Sequence, residues 1–166
     1  MKQSRLRSDG LQLDEHRGFQ ERFWKIERVG WLVFAILIVA ALFGAFGAGG
    51  PLATKVVEAQ GATIEHPRVG RWESADEMTV RFKPGRDTYS VELSPSFAEA
   101  FQVEDIQPLP AKTTIGARGQ VLTFESPARD GGSIKLHVRA QSVGMASYEV
   151  SVNGAPSTTL STFILP

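Results

Sequence analysis

The sequence predicts a mainly β protein: an antiparallel β-sandwich, Ig-like or a small barrel, preceded by a single transmembrane α-helix. Three observations carry that reading. Residues 29–48, VGWLVFAILIVAALFGAFGA, hold no Asp, Glu, Lys, Arg, Asn or Gln. From about residue 62 onward, apolar and polar side chains alternate in short runs separated by Gly, Pro, Asn and Asp, the signature of strands and turns. The 166 residues contain no cysteine, which excludes a disulfide scaffold, thiolate metal sites and a cysteine nucleophile. The organisation that follows is a cytoplasmic segment over 1–28, a membrane helix over 29–48, a linker over 49–61 and an outer β domain over 62–166.

Charge agrees with this division. The chain has 18 basic and 18 acidic side chains, a balance that argues against nucleic acid as a partner. Residues 1–28 carry seven basic and five acidic groups, net +2, and the remainder eleven and thirteen, net −2. The neutral total therefore sums over two compartments. Lys25 and Arg28 abut the apolar stretch, whereas the twenty residues after it hold only Lys55 and Arg68. The positive-inside rule then puts the N-terminal side in the cytoplasm and the β domain outside.

Taken in order, the first thirteen residues are polar. From Asp14 the sequence becomes helical and amphipathic, with Phe19, Phe23 and Ile26 at three- and four-residue steps. Such a helix suits the bilayer interface or a cytoplasmic partner; the plainer alternative is an extension of the membrane helix. Trp24, Trp31, Lys25 and Arg28 are the expected interface anchors. A 20-residue helix is roughly 30 Å long, the thickness of a hydrocarbon layer. A cleavable signal peptide is the competing reading. Its apolar core is normally about 7–15 residues, shorter than this one, so an uncleaved signal anchor fits better. Ala40, Gly44 and Ala48, four apart, are candidates for close helix packing, in a dimer or against another membrane protein.

Residues 51–61 read as a juxtamembrane link with a short helical turn. Met78, Val80 and Phe82, the turn Pro84-Gly85-Arg86-Asp87, and Tyr89, Val91 and Leu93 read as a hairpin. Ser94-Pro95 starts a short helix through Phe101. Strands are expected over 103–109, 120–125, 134–138, 148–152 and 158–165, seven or eight in all. Some 105 residues suffice for a core without disulfides.

Chemical motifs are sparse. Glu65 and His66 would face opposite sides of a strand, and His137 sits between Lys135 and Arg139, so no metal site and no cofactor are expected. There is no G-x-S-x-G and no phosphate-binding G-x-x-x-x-G-K. A hydrolase would need a scattered triad drawing on His66 or His137. The most prominent surface candidate is the basic strand face Arg81, Lys83, Lys135, His137 and Arg139, positioned to meet an anionic surface, an envelope polymer or an acidic partner.

The segment FQERFWKIERVGW running into the apolar stretch, Gly50-Pro51-Leu52 after it, and the ending STFILP resemble a family of small, uncharacterised single-pass bacterial inner-membrane proteins with a β-rich outer domain. The resemblance implies architecture and an inner-membrane setting, and no site residue. The function expected is therefore non-enzymatic: an accessory or interaction protein whose partners are the bilayer and another membrane or envelope protein, or a second copy through the span. An envelope-ligand module using the basic face is the second expectation, and an exoplasmic hydrolase the third.

Overall fold

The structure, a computed structural model, describes residues 17–46, 50, 52–126 and 131–166. The expected cytoplasmic stretch before Arg17, including His16, lies outside these, as does Ala48. The chain divides into two compact units, Met1–Val39 and Ala40–Pro166.

α1 (Arg17–Leu42), most of it in the first unit, carries Phe19, Phe23, Ile26 and the apolar residues from Val29 to Val39, all exposed. The helix does not run through 29–48. It stops at Leu42, where Ala45 N–H bonds back to Ala40 O and Gly44 takes a left-handed φ of 86° that continuing helix does not accommodate. Among the described residues no helix is both long and apolar enough to cross a membrane. In α1 the reason is that Lys25, Glu27 and Arg28 lie within the helix, leaving only 29–42 uncharged.

The second unit is β-rich, with eleven strands among the described residues. One sheet has the order β1 (Thr54–Ala59), β2 (Ala62–Pro67), β4 (Ala75–Phe82), β9 (Gly132–Ala140), β6 (Phe101–Gln107). The other runs β3 (Val69–Arg71), β11 (Thr158–Leu165), β10 (Gly144–Val152), β5 (Thr88–Leu93), β8 (Gln120–Glu125), β7 (Lys112–Ile115). Every pairing is antiparallel except β3 with β11. The inner faces share one core in which Ile64, Val80 and Leu136 of the first sheet meet Val91, Leu122 and Val150 of the second. Alternate residues on each strand supply that core, as the pleat requires. Phe82 stacks on Tyr89 at 4.6 Å between centroids, joining the layers.

The sandwich expected from the sequence is thus present, with several elements arranged differently. β4 and β5 are not a hairpin: they belong to different sheets, and the Pro84–Asp87 turn carries the chain across the sandwich. Tyr89 Oη holds that corner, donating to Lys83 O at 3.1 Å and accepting from Arg86 N at 3.3 Å. The segment expected to be a linker, 49–61, contains the whole of β1, which closes on β2 through Gln60-Gly61, with Gly61 at φ 87°. β3 and β7, only three and four residues long, have no alternation to announce them. The short helix falls where its cap chemistry puts it. In α2 (Pro95–Ala100), Ser94 Oγ accepts Phe97 N–H at 3.3 Å and also Glu149 N–H at 3.0 Å, so the cap ties α2 to β10.

Candidate functional site

The predicted basic residues do come together. β4 and β9 are neighbours, in register with Thr79 opposite Lys135 and Glu77 opposite His137. Their outward face, however, is laced with acid. Arg81 pairs with Glu65 at 3.0 Å, Lys83 with Glu58 at 3.5 Å, Lys135 with Glu77 at 3.1 Å, and Arg139 with Glu104. His137 is flanked in register by Glu77 and Asp105. Partial burial pushes the Glu77 carboxyl up. Hydrogen bonds from Lys135 and Thr79, with the charges of Lys135 and His137, outweigh that and hold it below the usual carboxylate range. Four cations facing four carboxylates leave this surface no surplus positive charge.

The predicted packing residues do not form one helical ridge among the described residues: Ala40 is in α1, and Gly44 lies beyond its end. The expected anchors are all on α1 and exposed, with the Arg28 guanidinium 3.9 Å above the Trp24 ring.

Two features carry no clear signature in the sequence. The first is a buried polar cluster between the sheets. His66, 1% exposed, has Nδ1 3.0 Å from Pro67 O and 3.3 Å from Tyr148 Oη. Tyr148 Oη lies 3.1 Å from Thr162 Oγ1, which donates to Pro67 O at 2.6 Å. Burial lowers the His66 pKa, against the Pro67 hydrogen bond, which raises it; the charge of Lys55 lowers it further. Burial alone pushes Asp76 up to about 6. It also drives Tyr148 up to about 12, where the Thr162 bond opposes and the Asp76 charge assists. His66 Nε2 and Asp76 Oδ2 are buried without a hydrogen-bond partner. No serine bonds to His66 among the described residues. Among the described residues there is also no grouping of His, Asp and Glu able to hold a metal.

The second is a groove. β6 and β7 end their sheets on the same side of the sandwich, and among the described residues each leaves one backbone edge without a strand partner. Between them, roofed by α2, lies a cavity of about 750 Å³ lined by Leu93, Phe97, Phe101, Val103, Ile115 and three glutamines, Gln102, Gln120 and Gln141. Leu109 and Ile115 are both largely exposed, Ile115 within the lining. The register explains the groove. Ile115 is opposite Gln120, on the side of β7 and β8 that elsewhere faces the core, but among the described residues no strand beyond β7 covers it.

Folds of similar outline are known. A non-cellulosomal cohesin from the hyperthermophilic archaeon Archaeoglobus fulgidus superposes with TM-score 0.41 at 12% identity, over 68% of this chain and 91% of that one. A chain of the CaDoc0917–CaCohA2 complex gives 0.34 at 14%, over 55% and 79%. The bacterial hydrophobin BslA gives 0.35 at 10%, over 67% and 95%. At such low identity and overlap, none of the three informs this chain's chemistry. No family model and no curated protein matches the sequence.

Proposed function

We propose that this chain is a non-enzymatic accessory protein of the bacterial inner membrane, anchored through the apolar region beginning in α1 and presenting its β-sandwich on the outer side to a protein partner. The observation that supports the anchor is the exposure of residues 29–39 around the whole circumference of α1. A helix apolar on every side and uncovered by protein is at home only in lipid. Residues 29–42 alone give about 20 Å of helix; the apolar sequence continues through Phe46. The clustering of Lys25 and Arg28 with Trp24 at its start favours a cytoplasmic N-terminal side. The seat for the partner is the β6–β7 groove, whose free strand edges and apolar lining suit an extended polypeptide segment. The salt-bridged strand face gives the envelope-ligand reading less support.

Alkaline carbonate should leave the chain in the membrane fraction, and protease added outside should remove the β domain while sparing residues before α1. Release by carbonate would refute the anchor. A photo-crosslinker at Ile115 should give a discrete adduct that one at Glu149 does not; equal or absent adducts would refute the groove.

A further inference from the structure

The exposed large apolar side chains of the β domain are not scattered. Apart from Leu52 and Val56 at and just before β1, Leu109 between β6 and β7, and Ile115 at the groove, they are Trp72, Val143, Met145 and Phe163, each at least 44% exposed. These four gather at one end of the second sheet. Met145 and Phe163 are direct cross-strand partners, and Phe163 is in register with Val69 on its other side. Val143 is in the turn entering β10, and Trp72 follows β3, its N–H donating to Leu165 O at 2.7 Å.

The same region receives the chain. Ala53 O accepts the N–H groups of both Arg68 and Val69, and Phe163 N–H donates to Arg68 O. The apolar row therefore lies beside the point where the chain arrives from α1, with Leu52 N–H donating to Phe43 O at 3.0 Å just before it. Charge at this end differs from that on the outward face of the first sheet. Lys55, Arg68 and Arg71 are exposed and have no carboxylate partner among the described residues. Against them the β3–β4 loop sets one exposed acid, Glu73.

Apolar side chains including a tryptophan, edged by unpaired cations and tethered close to a membrane, match an anionic bilayer surface. We propose that this end of the sandwich rests on the outer leaflet, with Trp72, Met145 and Phe163 at headgroup depth and Lys55, Arg68 and Arg71 against lipid phosphates. The inference rests on the anchor proposed above. Docking would fix which way the β6–β7 groove faces.

The absence of cysteine makes the test direct. A nitroxide is placed at Met145→Cys or, as a control in the β10–β11 loop, at Ser157→Cys, in the full chain reconstituted into phosphatidylcholine vesicles containing phosphatidylglycerol. Docking is expected to make the label at 145 several-fold less accessible to an aqueous nickel chelate than the label at 157, and more accessible to oxygen. Either the triple charge reversal Lys55→Glu, Arg68→Glu, Arg71→Glu or omission of phosphatidylglycerol should return it to water. If carbonate retains the chain but the label at 145 stays water-accessible, docking fails while the anchor stands; if carbonate releases the chain, both fail. Shielding that persists without phosphatidylglycerol and in detergent would mean that protein covers the patch, which also overturns the proposal.

Discussion

Asp76 and His66 are the residues at which the interior departs from ordinary packing, and they respond to pH in opposite senses. The Asp76 carboxyl is raised to about 6 from its ordinary 3.8. Protonated in both states below about pH 4, it costs nothing there; as pH rises through about 6 it ionises inside the fold, and stability is lost. His66 is lowered by burial, so its contribution is complete above its ordinary 6.5 and is lost as pH falls through the lower folded value. The two therefore act on stability in opposite directions as pH changes. Asp76→Asn should therefore raise stability at pH 8 by about 1 kcal/mol, a figure reduced for the partial exposure of the residue, and change nothing at pH 4. Thermal melts at the two pH values check this, and an equal gain at both would refute it. The cluster was not legible beforehand. His66 could be placed on a strand opposite Glu65, but its partners Tyr148 and Thr162 come from β10 and β11, and nothing local in the sequence records that meeting.

At the scale of elements, pleat and turn chemistry account for what sequence could and could not locate. β8 and β11 have limits that agree with expectation, and burial alternates along both, although in β11 the inward Thr162 and outward Phe163 reverse the usual polarity. α2 was legible from Ser94-Pro95 alone. β1 was not, because it is an edge strand with a mostly exposed pattern and no buried face to mark it. The β4–β5 turn misled for another reason: Gly and Pro report that a chain turns, not whether it stays within one sheet. Gly119, between β7 and β8, belongs to this scale as well. It sits at φ 146°, and a Cβ there would run into the carbonyl of Leu93. Gly119→Ala should cost about 2–3 kcal/mol through strain and backbone displacement. Denaturant titration measures it, and because Gly119 and Gln120 line the groove, crosslinking from Ile115 should fall with it. A fully stable variant would show that the turn yields more freely than its geometry implies.

For the whole molecule, the outer placement proposed for the β domain has a consequence for the order in which an exported chain would emerge. β11 is the last strand in chain order yet second in its sheet, paired on one side with β10 and on the other with β3, about ninety residues earlier. Until Thr158–Leu165 has cleared the membrane, β3 has no partner and the flank of β10 stands open, so the layer cannot be completed while the chain is still being threaded through. On that proposal translocation finishes before folding does, and with no disulfide available the waiting intermediate is held by β4, β9 and their neighbours. Removing 158–166 is thus the excision of an interior strand. The shortened chain should fail to give a cooperative melt, and pulse-chase protease resistance of the full chain should appear only after translocation is complete; resistance gained earlier would show that β3 and β10 find another cover.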